Sequence, residues 1–226
     1  EGLSKQLGQP VIVENVTGAG GTIATGKLAT AKPDGYTLLV HHVGIASAAT
    51  LYRTLTFDTR TAFQPIGMLT HTASVFIARP DFPANTFADV IAYVKANKDK
   101  VTFGNAGLGA ASHLCGMLFQ TAVGTQVTTI PYRGNAPVLN DLRGKQIDMT
   151  CDQATAVTSH IKTGGIKAYA VTTKARIADL PDLPAADEAG LKGFDLSVWH
   201  GIYAPKGLPQ PVLDKLAAAV QSVVKD

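Results

Sequence analysis

Residues 101–172 read VTFGNAGLGAASHLCGMLFQTAVGTQVTTIPYRGNAPVLNDLRGKQIDMTCDQATAVTSHIKTGGIKAYAVT, in which short apolar stretches alternate with segments of helical periodicity. Short apolar strands separated by helices of about ten residues are typical of a parallel sheet covered on both faces. The sequence therefore predicts an α/β fold. Within this stretch the predicted strands are 101–105, 127–131, 147–151 and 166–172, and the predicted helices are 111–122, 136–143 and 154–162.

The sequence on either side extends the same pattern. Thr86 followed by Asp89 predicts a capped helix start, because a Thr with an acidic residue three positions later forms a capping box. Residues 173–196 are rich in Pro, Asp and Ala and are predicted to be irregular. Further predicted strands are 11–13, 36–40, 65–69, 74–78 and one within 196–204, and further predicted helices are 23–31, 44–52 and 209–224.

The composition excludes several classes of protein. A chain of 226 residues forms one large domain or two small ones, at roughly 100–200 residues per domain. A mean hydropathy of +0.13 argues against disorder, and no apolar run approaches the ~18 residues that predict a membrane span. The net charge of +3, from 20 basic and 17 acidic residues, provides no basic patch for nucleic acid.

The two cysteines, Cys115 and Cys151, have neither CxxC spacing nor a histidine at metal-ligand distance. We interpret them as small core residues. A disulfide between them is the alternative, because an oxidising compartment would permit it.

Small, polar and glycine-rich segments follow the predicted strands. In open α/β sheets, ligands bind beyond the carboxyl ends of the strands. The unpaired N–H groups at helix N-termini favour an anion there. The segments are 14–21, 41–44, 104–113, 131–137 and 150–153.

Individual side chains in these segments have alternative interpretations. His113 either forms a hydrogen bond at a helix start, which we favour, or contacts ligand. Asp152 either binds an amine or hydroxyl of the ligand or caps the next helix. Arg133 either clamps a carboxylate or is solvated. His41-His42 are adjacent on a strand and face opposite ways, which argues against a metal site. Trp199 is interpreted as a packing residue.

Signals for catalysis are weak. Gly18–Gly21 forms a glycine turn, but it lacks the lysine of a phosphate-binding loop and is not a dinucleotide fingerprint. Ser112 and His113 are sequence neighbours, which does not make a catalytic triad. No GxSxG, HExxH or carboxylate pair is present. These observations favour an anion-binding protein over an enzyme, and we expect neither a cofactor nor a metal.

Several motifs, in this order, resemble those of the Bug-type periplasmic solute-binding proteins, the receptors of tripartite tricarboxylate transporters. The resemblance extends over essentially the whole chain. The motifs are Gly18-Ala-Gly-Gly21, Pro33-Asp-Gly-Tyr-Thr-Leu-Leu39, Phe63-Gln-Pro-Ile-Gly67, Gly104-Asn-Ala-Gly-Leu-Gly-Ala-Ala-Ser-His-Leu114, Pro131-Tyr-Arg-Gly-Asn-Ala-Pro137, Leu180-Pro-Asp-Leu-Pro184, Glu188-Ala-Gly190 and Trp199-His-Gly-Ile-Tyr-Ala-Pro205.

The resemblance implies a type II periplasmic-binding-protein fold, with two lobes and a ligand cleft between them. Lobe one would comprise residues 1–76 and 173–226, and lobe two residues 77–172. Hinge strands would lie near Val75–Ala78 and Ala170–Thr173. The family's first strand and last helices would fall outside residues 1–226.

The resemblance also implies a function. Such a receptor is a periplasmic monomer that captures a di- or tricarboxylate, an acidic amino acid or an aromatic acid. Backbone amides and ordered water would hold the ligand, and membrane components of a transporter would receive it. The implied ligand-binding residues are His41, His42, Asn105, Ala106, Gly107, Ser112, His113, Gly134, Asn135, Ala136 and Asp152.

Two positions depart from the family pattern. Asn135 occupies a position where serine is common, and Ala110 replaces another serine. Both changes leave the identity of the carboxylate open. Two alternative functions also remain open: a ligand-sensing domain that signals to a kinase, and a small α/β enzyme that binds phosphate at Gly18–Gly21.

Overall fold

The computed structural model describes residues 1–225, so Asp226, the last residue of predicted lobe one, lies outside the described residues. The chain forms two compact units. Unit 1 comprises Glu1–His71 and the chain from Trp199 onward, and unit 2 comprises Thr72–Val198. None of the helices described has both the length and the apolar character needed to cross a membrane.

Helices and strands follow one another through most of the chain. A short 3-10 helix at Ala19–Gly21 precedes the second α-helix. In chain order the other elements are α1 (Gly2–Leu7), α2 (Thr22–Ala29), β1 (Leu39–His42), α3 (Gly44–Leu51), β2 (Phe63–Ala78), α4 (Phe87–Ala96), β3 (Thr102–Asn105), α5 (Ala111–Val123), β4 (Thr128–Pro131), α6 (Asn135–Arg143), β5 (Met149–Gln153), α7 (Ala154–Lys162), β6 (Lys167–Val171), β7 (Ser197–Pro205) and α8 (Gln210–Lys225).

In unit 1, β7 lies between β1 and β2. β1 pairs antiparallel with β7, which places His42 opposite His200. A small core of Leu28, Ile45 and Phe63 packs against the sheet, and Trp199 packs against this core. The packing role predicted for Trp199 is therefore confirmed.

In unit 2, β3 pairs in parallel with β4 and β5, whereas β2 pairs antiparallel with β5 and β6. Alternate residues of β2 enter different cores because strand side chains alternate between faces. Phe76 belongs to the cluster that contains the α4 and α5 side chains, and Ile77 to the cluster that contains those of α6 and α7. The predicted sheet with helices on both faces is confirmed, with one antiparallel strand inside it.

The strand prediction for residues 11–13 was wrong. Val11, Ile12 and Val13 form no strand, and Ile12 is 90% exposed. A β-branched pattern indicates a strand only where another strand supplies hydrogen bonds, and no described strand pairs with this segment. The strands predicted at 65–69 and 74–78 are the two parts of one continuous strand, β2.

The boundary of unit 2 differs from that of predicted lobe two. Residues 173–198 were predicted to join lobe one, but they belong to unit 2. Leu180 and Ala185 pack in one core cluster of that unit, and Leu191 and Phe194 pack in the other. Apolar residues spaced along an otherwise irregular segment therefore attach it to the cores of unit 2.

Cys115 and Cys151 form a disulfide, with an Sγ–Sγ distance of 1.99 Å. The bond joins α5 to β5 inside a core cluster of unit 2, where both residues are fully buried. The interpretation as small core residues was right about burial and wrong about pairing, because the sequence does not show that α5 packs on β5.

Candidate functional site

Three helices of unit 2 begin at one edge of its sheet. Because β3, β4 and β5 are parallel, their carboxyl ends share an edge, and α5, α6 and α7 follow directly. The N-cap residues Ala110, Gly134 and Gln153 make no side-chain capping hydrogen bond. The first N–H groups of these helices are therefore free of side-chain caps, which makes the edge suitable for an anion.

The remaining helix of unit 2 provides a contrast. α4 follows the antiparallel strand β2 and begins with the predicted capping box. The Thr86 hydroxyl accepts from the Asp89 N–H at 3.2 Å, and the Asp89 carboxylate accepts from the Thr86 N–H at 2.9 Å. Within unit 2, therefore, the helices without side-chain caps are those that follow parallel strands.

The loop between β3 and α5 is held by its own side chains. Ser112 Oγ accepts from the Ala106 N–H at 3.0 Å, and Asn105 Oδ1 accepts from the Gly107 N–H at 2.9 Å. The second bond fixes the orientation of the Asn105 amide, because a flipped amide would direct a donor at a donor.

Asn105 has an unused donor. Its side chain is 0% exposed, and its Nδ2 has no hydrogen-bond partner among the described residues. A buried polar group without a partner costs about 1–3 kcal/mol. A bound acceptor, such as a carboxylate oxygen or an ordered water, would satisfy this group.

His113 and Asn135 occupy the first turns of α5 and α6. His113 Nδ1 accepts from the Gly109 N–H at 3.3 Å, which is the helix-start hydrogen bond that we favoured. This bond assigns the ring proton to Nε2. Burial lowers the pKa of His113, so the ring is neutral at pH 7.

Asp152 joins the starts of two helices. Its Oδ1 accepts from Asn135 Nδ2 and from the Gln153 N–H, each at 2.8 Å. Burial raises the pKa of Asp152 to about 6, although the bond from Gln153 acts in the opposite direction. Asp152 does not cap α7, whose N-cap is Gln153.

The other candidates in this part of unit 2 are less enclosed. Gly134 has a φ of 111°, a left-handed value that favours glycine, and a Cβ there would meet open space. Ala136 and Arg133 are exposed. The predicted residues of unit 2 thus come together at the carboxyl edge of β3, β4 and β5.

His41 and His42 lie in unit 1, beside His200. His41 Nδ1 accepts from the His42 N–H at 2.8 Å, and His42 Nδ1 accepts from the Gly44 N–H at 2.9 Å. The ring centroids of His42 and His200 are 6.3 Å apart, and His200 Nδ1 is 2.8 Å from Thr70 Oγ1. The bond from Gly44 therefore favours the Nε2–H tautomer of His42. His41 Nδ1 lies 3.2 Å from the His42 carbonyl oxygen as well, so either ring nitrogen of His41 can carry the proton.

Burial lowers the pKa of His42 to about 3, and the neighbouring His41 and His200 contribute in the same direction. Burial also lowers the pKa of His41, although backbone hydrogen bonds oppose that shift. These two rings are therefore neutral donors at pH 7. In the described part of the chain, no group of at least three His, Cys, Asp or Glu side chains could hold a metal ion.

The glycine turn at Gly18–Gly21 packs against one of these rings. A Cβ on Gly21 would overlap His41 Nε2, and the φ of Gly21 is 94°. Glycine at this position is therefore explained by close approach and backbone conformation. This contact supports the structural interpretation of the turn.

The family model described as "Tripartite tricarboxylate transporter family receptor" (TctC) matches residues 1–226. The chain belongs to this receptor family. A relative from Agrobacterium vitis, the "UPF0065 protein in the TAR-I ttuE-ttuC' intergenic region", is 48% identical over 226 residues. That match covers 100% of this chain and 65% of the relative, so the chain spans about two thirds of the relative's length.

Solved structures agree with the family assignment. The periplasmic binding protein BugD is 49% identical, with a TM-score of 0.95, over 100% of this chain and 75% of that one. MatC from Rhodopseudomonas palustris, solved with bound malate, is 36% identical, with a TM-score of 0.93, over 98% of this chain and 76% of that one. The predicted resemblance and the periplasmic-binding-protein fold are confirmed.

Two residues of this TctC-family chain escaped the sequence prediction. Gln153 supplies an N–H to Asp152, and the signals for it were its place in the polar segment 150–153 and directly before a predicted helix. His200 stands opposite His42, but the two are far apart in sequence. The Trp199-His200 motif marked that position without indicating its partner.

Proposed function

We propose that this chain is the ligand-binding part of a periplasmic receptor that captures a small carboxylate for a tripartite tricarboxylate-type transporter. The observation that carries the proposal is the set of helix starts without side-chain caps at the carboxyl edge of β3, β4 and β5. Family membership and the malate bound to the related MatC support it.

The physical argument concerns partial charges. Each helix N-terminus carries roughly half a positive charge, and the starts of α5, α6 and α7 share one edge of the sheet. Asn105 Nδ2 adds a buried donor without a partner beside the start of α5. Such a site holds a carboxylate by N–H groups and needs no ion pair, which agrees with the modest net charge.

The proposal also covers the division of the chain into lobes. Units 1 and 2 would each form one lobe of a monomeric receptor, with the chain crossing between them near Thr72 and Val198. Residues 173–198 would then belong to lobe two. His41 and His42 remain predicted ligand-binding residues, as do those of unit 2.

The enzyme and sensor alternatives are not favoured. Ser112 Oγ accepts from the Ala106 N–H and His113 Nδ1 accepts from the Gly109 N–H, so these two side chains do not form a nucleophile–base pair. The family is one of transporter receptors. We therefore retain a single proposed function.

Ligand-induced stabilisation tests the proposal. We expect malate, or another acid from a panel of dicarboxylates, citrate, acidic amino acids and aromatic acids, to raise the unfolding free energy. The gain is about 2.7 kcal/mol at about 100 times the dissociation constant. Thermal and urea unfolding of the protein with and without each acid measure this gain, and no stabilisation by any acid would refute the proposal.

A matched pair of variants tests the site. Asn105→Asp keeps the acceptor for the Gly107 N–H and removes the Nδ2 donor, so we expect a loss of affinity of about tenfold or more. Asn140→Asp makes the same chemical change at an exposed position of α6 and should leave affinity unchanged. Equal affinities for the two variants in calorimetry would remove Asn105 from the site.

A further inference from the structure

Asp152 is an acidic side chain at an edge suited to anions. It is 4% exposed, and its hydrogen bonds come from Asn135, the first residue of α6, and from Gln153, the N-cap of α7. Both bonds fall on Oδ1.

The charges around Asp152 do not include a cation that would hold it ionised. β2 contributes no ionisable side chain between Thr72 and Ala78, and β3 contributes none. Asp152 lies near the carboxyl end of β5, where Asn135 at the start of α6 and Gln153 at the start of α7 donate hydrogen bonds to it. On the elements packed against β5, the ionisable groups are His113 in the first turn of α5, Asp141 and Arg143 towards the end of α6, and His160 and Lys162 in the last turn of α7; exposed Arg133 lies in the loop before α6.

We propose that Asp152 takes up a proton from solvent when a carboxylate binds at the starts of α6 and α7, so that Oδ2–H donates a hydrogen bond to the ligand. This inference rests on the proposed function. The proton moves from water to Oδ2, and no other bond forms or breaks. Asp152 would then select for carboxylates by acting as a donor in the occupied site and an acceptor in the empty one.

The reason is electrostatic. Two carboxylates that share a poorly solvated site cannot both remain ionised, and one of them retains a proton. Burial has already raised the pKa of Asp152 to about 6, so a modest further rise suffices for protonation at neutral pH. The bonds from Asn135 and Gln153 hold Oδ1 as an acceptor, which leaves Oδ2 as the oxygen that takes the proton.

The experiment is calorimetry of malate binding to the whole chain between about pH 6.5 and 8.5, in buffers with different ionisation enthalpies. We expect a net uptake of protons, up to one per bound malate, at pH values between the pKa of free Asp152 and its higher pKa in the complex. The affinity should fall by up to about tenfold per pH unit as the pH rises above the pKa of Asp152. Binding with no proton uptake would overturn the inference and leave the proposed function standing.

Two variants locate the proton. Asp152→Asn imitates the protonated side chain, so its malate affinity should be independent of pH, with no proton uptake, and at pH 8 it should match or exceed that of the wild type. Asp99→Asn removes the same charge at an exposed position just before β3 and should keep the wild-type proton uptake. Persistent uptake in Asp152→Asn would overturn the assignment to Asp152. If no acid of the panel binds at any pH, the proposed function fails and the inference fails with it.

Discussion

Asp152 shows how a single buried side chain links binding to stability. An unfolded Asp has a pKa near 3.9, whereas burial raises the pKa of folded Asp152 to about 6. The folded state therefore holds this proton more tightly. The stability that the neutral carboxyl provides is fully present below about pH 4 and is lost as the pH rises through about 6.

The Asp152→Asn variant should accordingly be more stable than the wild type at pH 8, by about 2–3 kcal/mol. The asparagine keeps the Oδ1 acceptor for Asn135 and Gln153 and removes the buried charge. Urea unfolding at pH 8 and near pH 4 measures the difference, which should nearly vanish at the lower pH. A gain of the same size at both values would show that charge is not its cause.

At this scale the sequence named candidate residues but gave no information about their protonation or hydrogen bonding. Asp152 and Asn105 were predicted site residues because the family resemblance implies it and because both lie in polar segments at the ends of predicted strands. The raised pKa of Asp152 comes from burial in the sheet, where it pairs with Val75 of β2, far away in the sequence. Asn105 Nδ2, which has no partner among the described residues, is likewise enclosed only in the folded core. Local patterns cannot report burial that distant elements supply.

Within unit 2, helix starts divide into capped and uncapped ones, and the uncapped ones follow the parallel strands. The Thr86 capping box of α4 satisfies backbone groups with side chains, whereas the starts of α5, α6 and α7 rely on no side-chain cap. We interpret the capping box of α4 as a contribution to stability, and the uncapped starts of α5, α6 and α7 as the proposed site. A change to the α4 cap should therefore affect folding alone.

Thr86→Ala tests this interpretation. The variant loses the hydroxyl that accepts from the Asp89 N–H, so the unfolding free energy should fall by about 1 kcal/mol. Malate affinity should remain that of the wild type. Urea unfolding and calorimetry on the same preparation give both quantities, and a clear loss of affinity would mean that the cap of α4 also supports the site.

Local sequence patterns predicted the helices and strands of unit 2 closely. They failed where the formation of a strand depends on hydrogen bonds to a partner strand. Helix 154–162 was predicted with the bounds of α7, and Thr86 was predicted as a cap. Strand 11–13 was predicted from residue types alone and has no partner strand in the structure described. The two strands predicted within β2 were separated because polar residues interrupt its middle.

For the molecule as a whole, long-range contacts decide which segments share a core. The resemblance gave the order of the lobes, but the apolar residues of 173–198 join that segment to unit 2. The disulfide between Cys115 and Cys151 could likewise be predicted only from the packing of α5 on β5. Both results concern residues far apart in the chain that meet in one core.

The disulfide should contribute to the stability of the whole chain through unit 2. Cys115 and Cys151 are separated by 36 residues, and closing a loop of that length in the unfolded chain is worth about 3–4 kcal/mol. A reductant should therefore lower the urea midpoint of the wild type, with thiol titration confirming two free cysteines. The Cys115→Ala/Cys151→Ala variant should have a urea midpoint close to that of the reduced wild type, and the reductant should not change it. An unchanged midpoint after full reduction would show that core packing, and not the covalent link, holds α5 on β5.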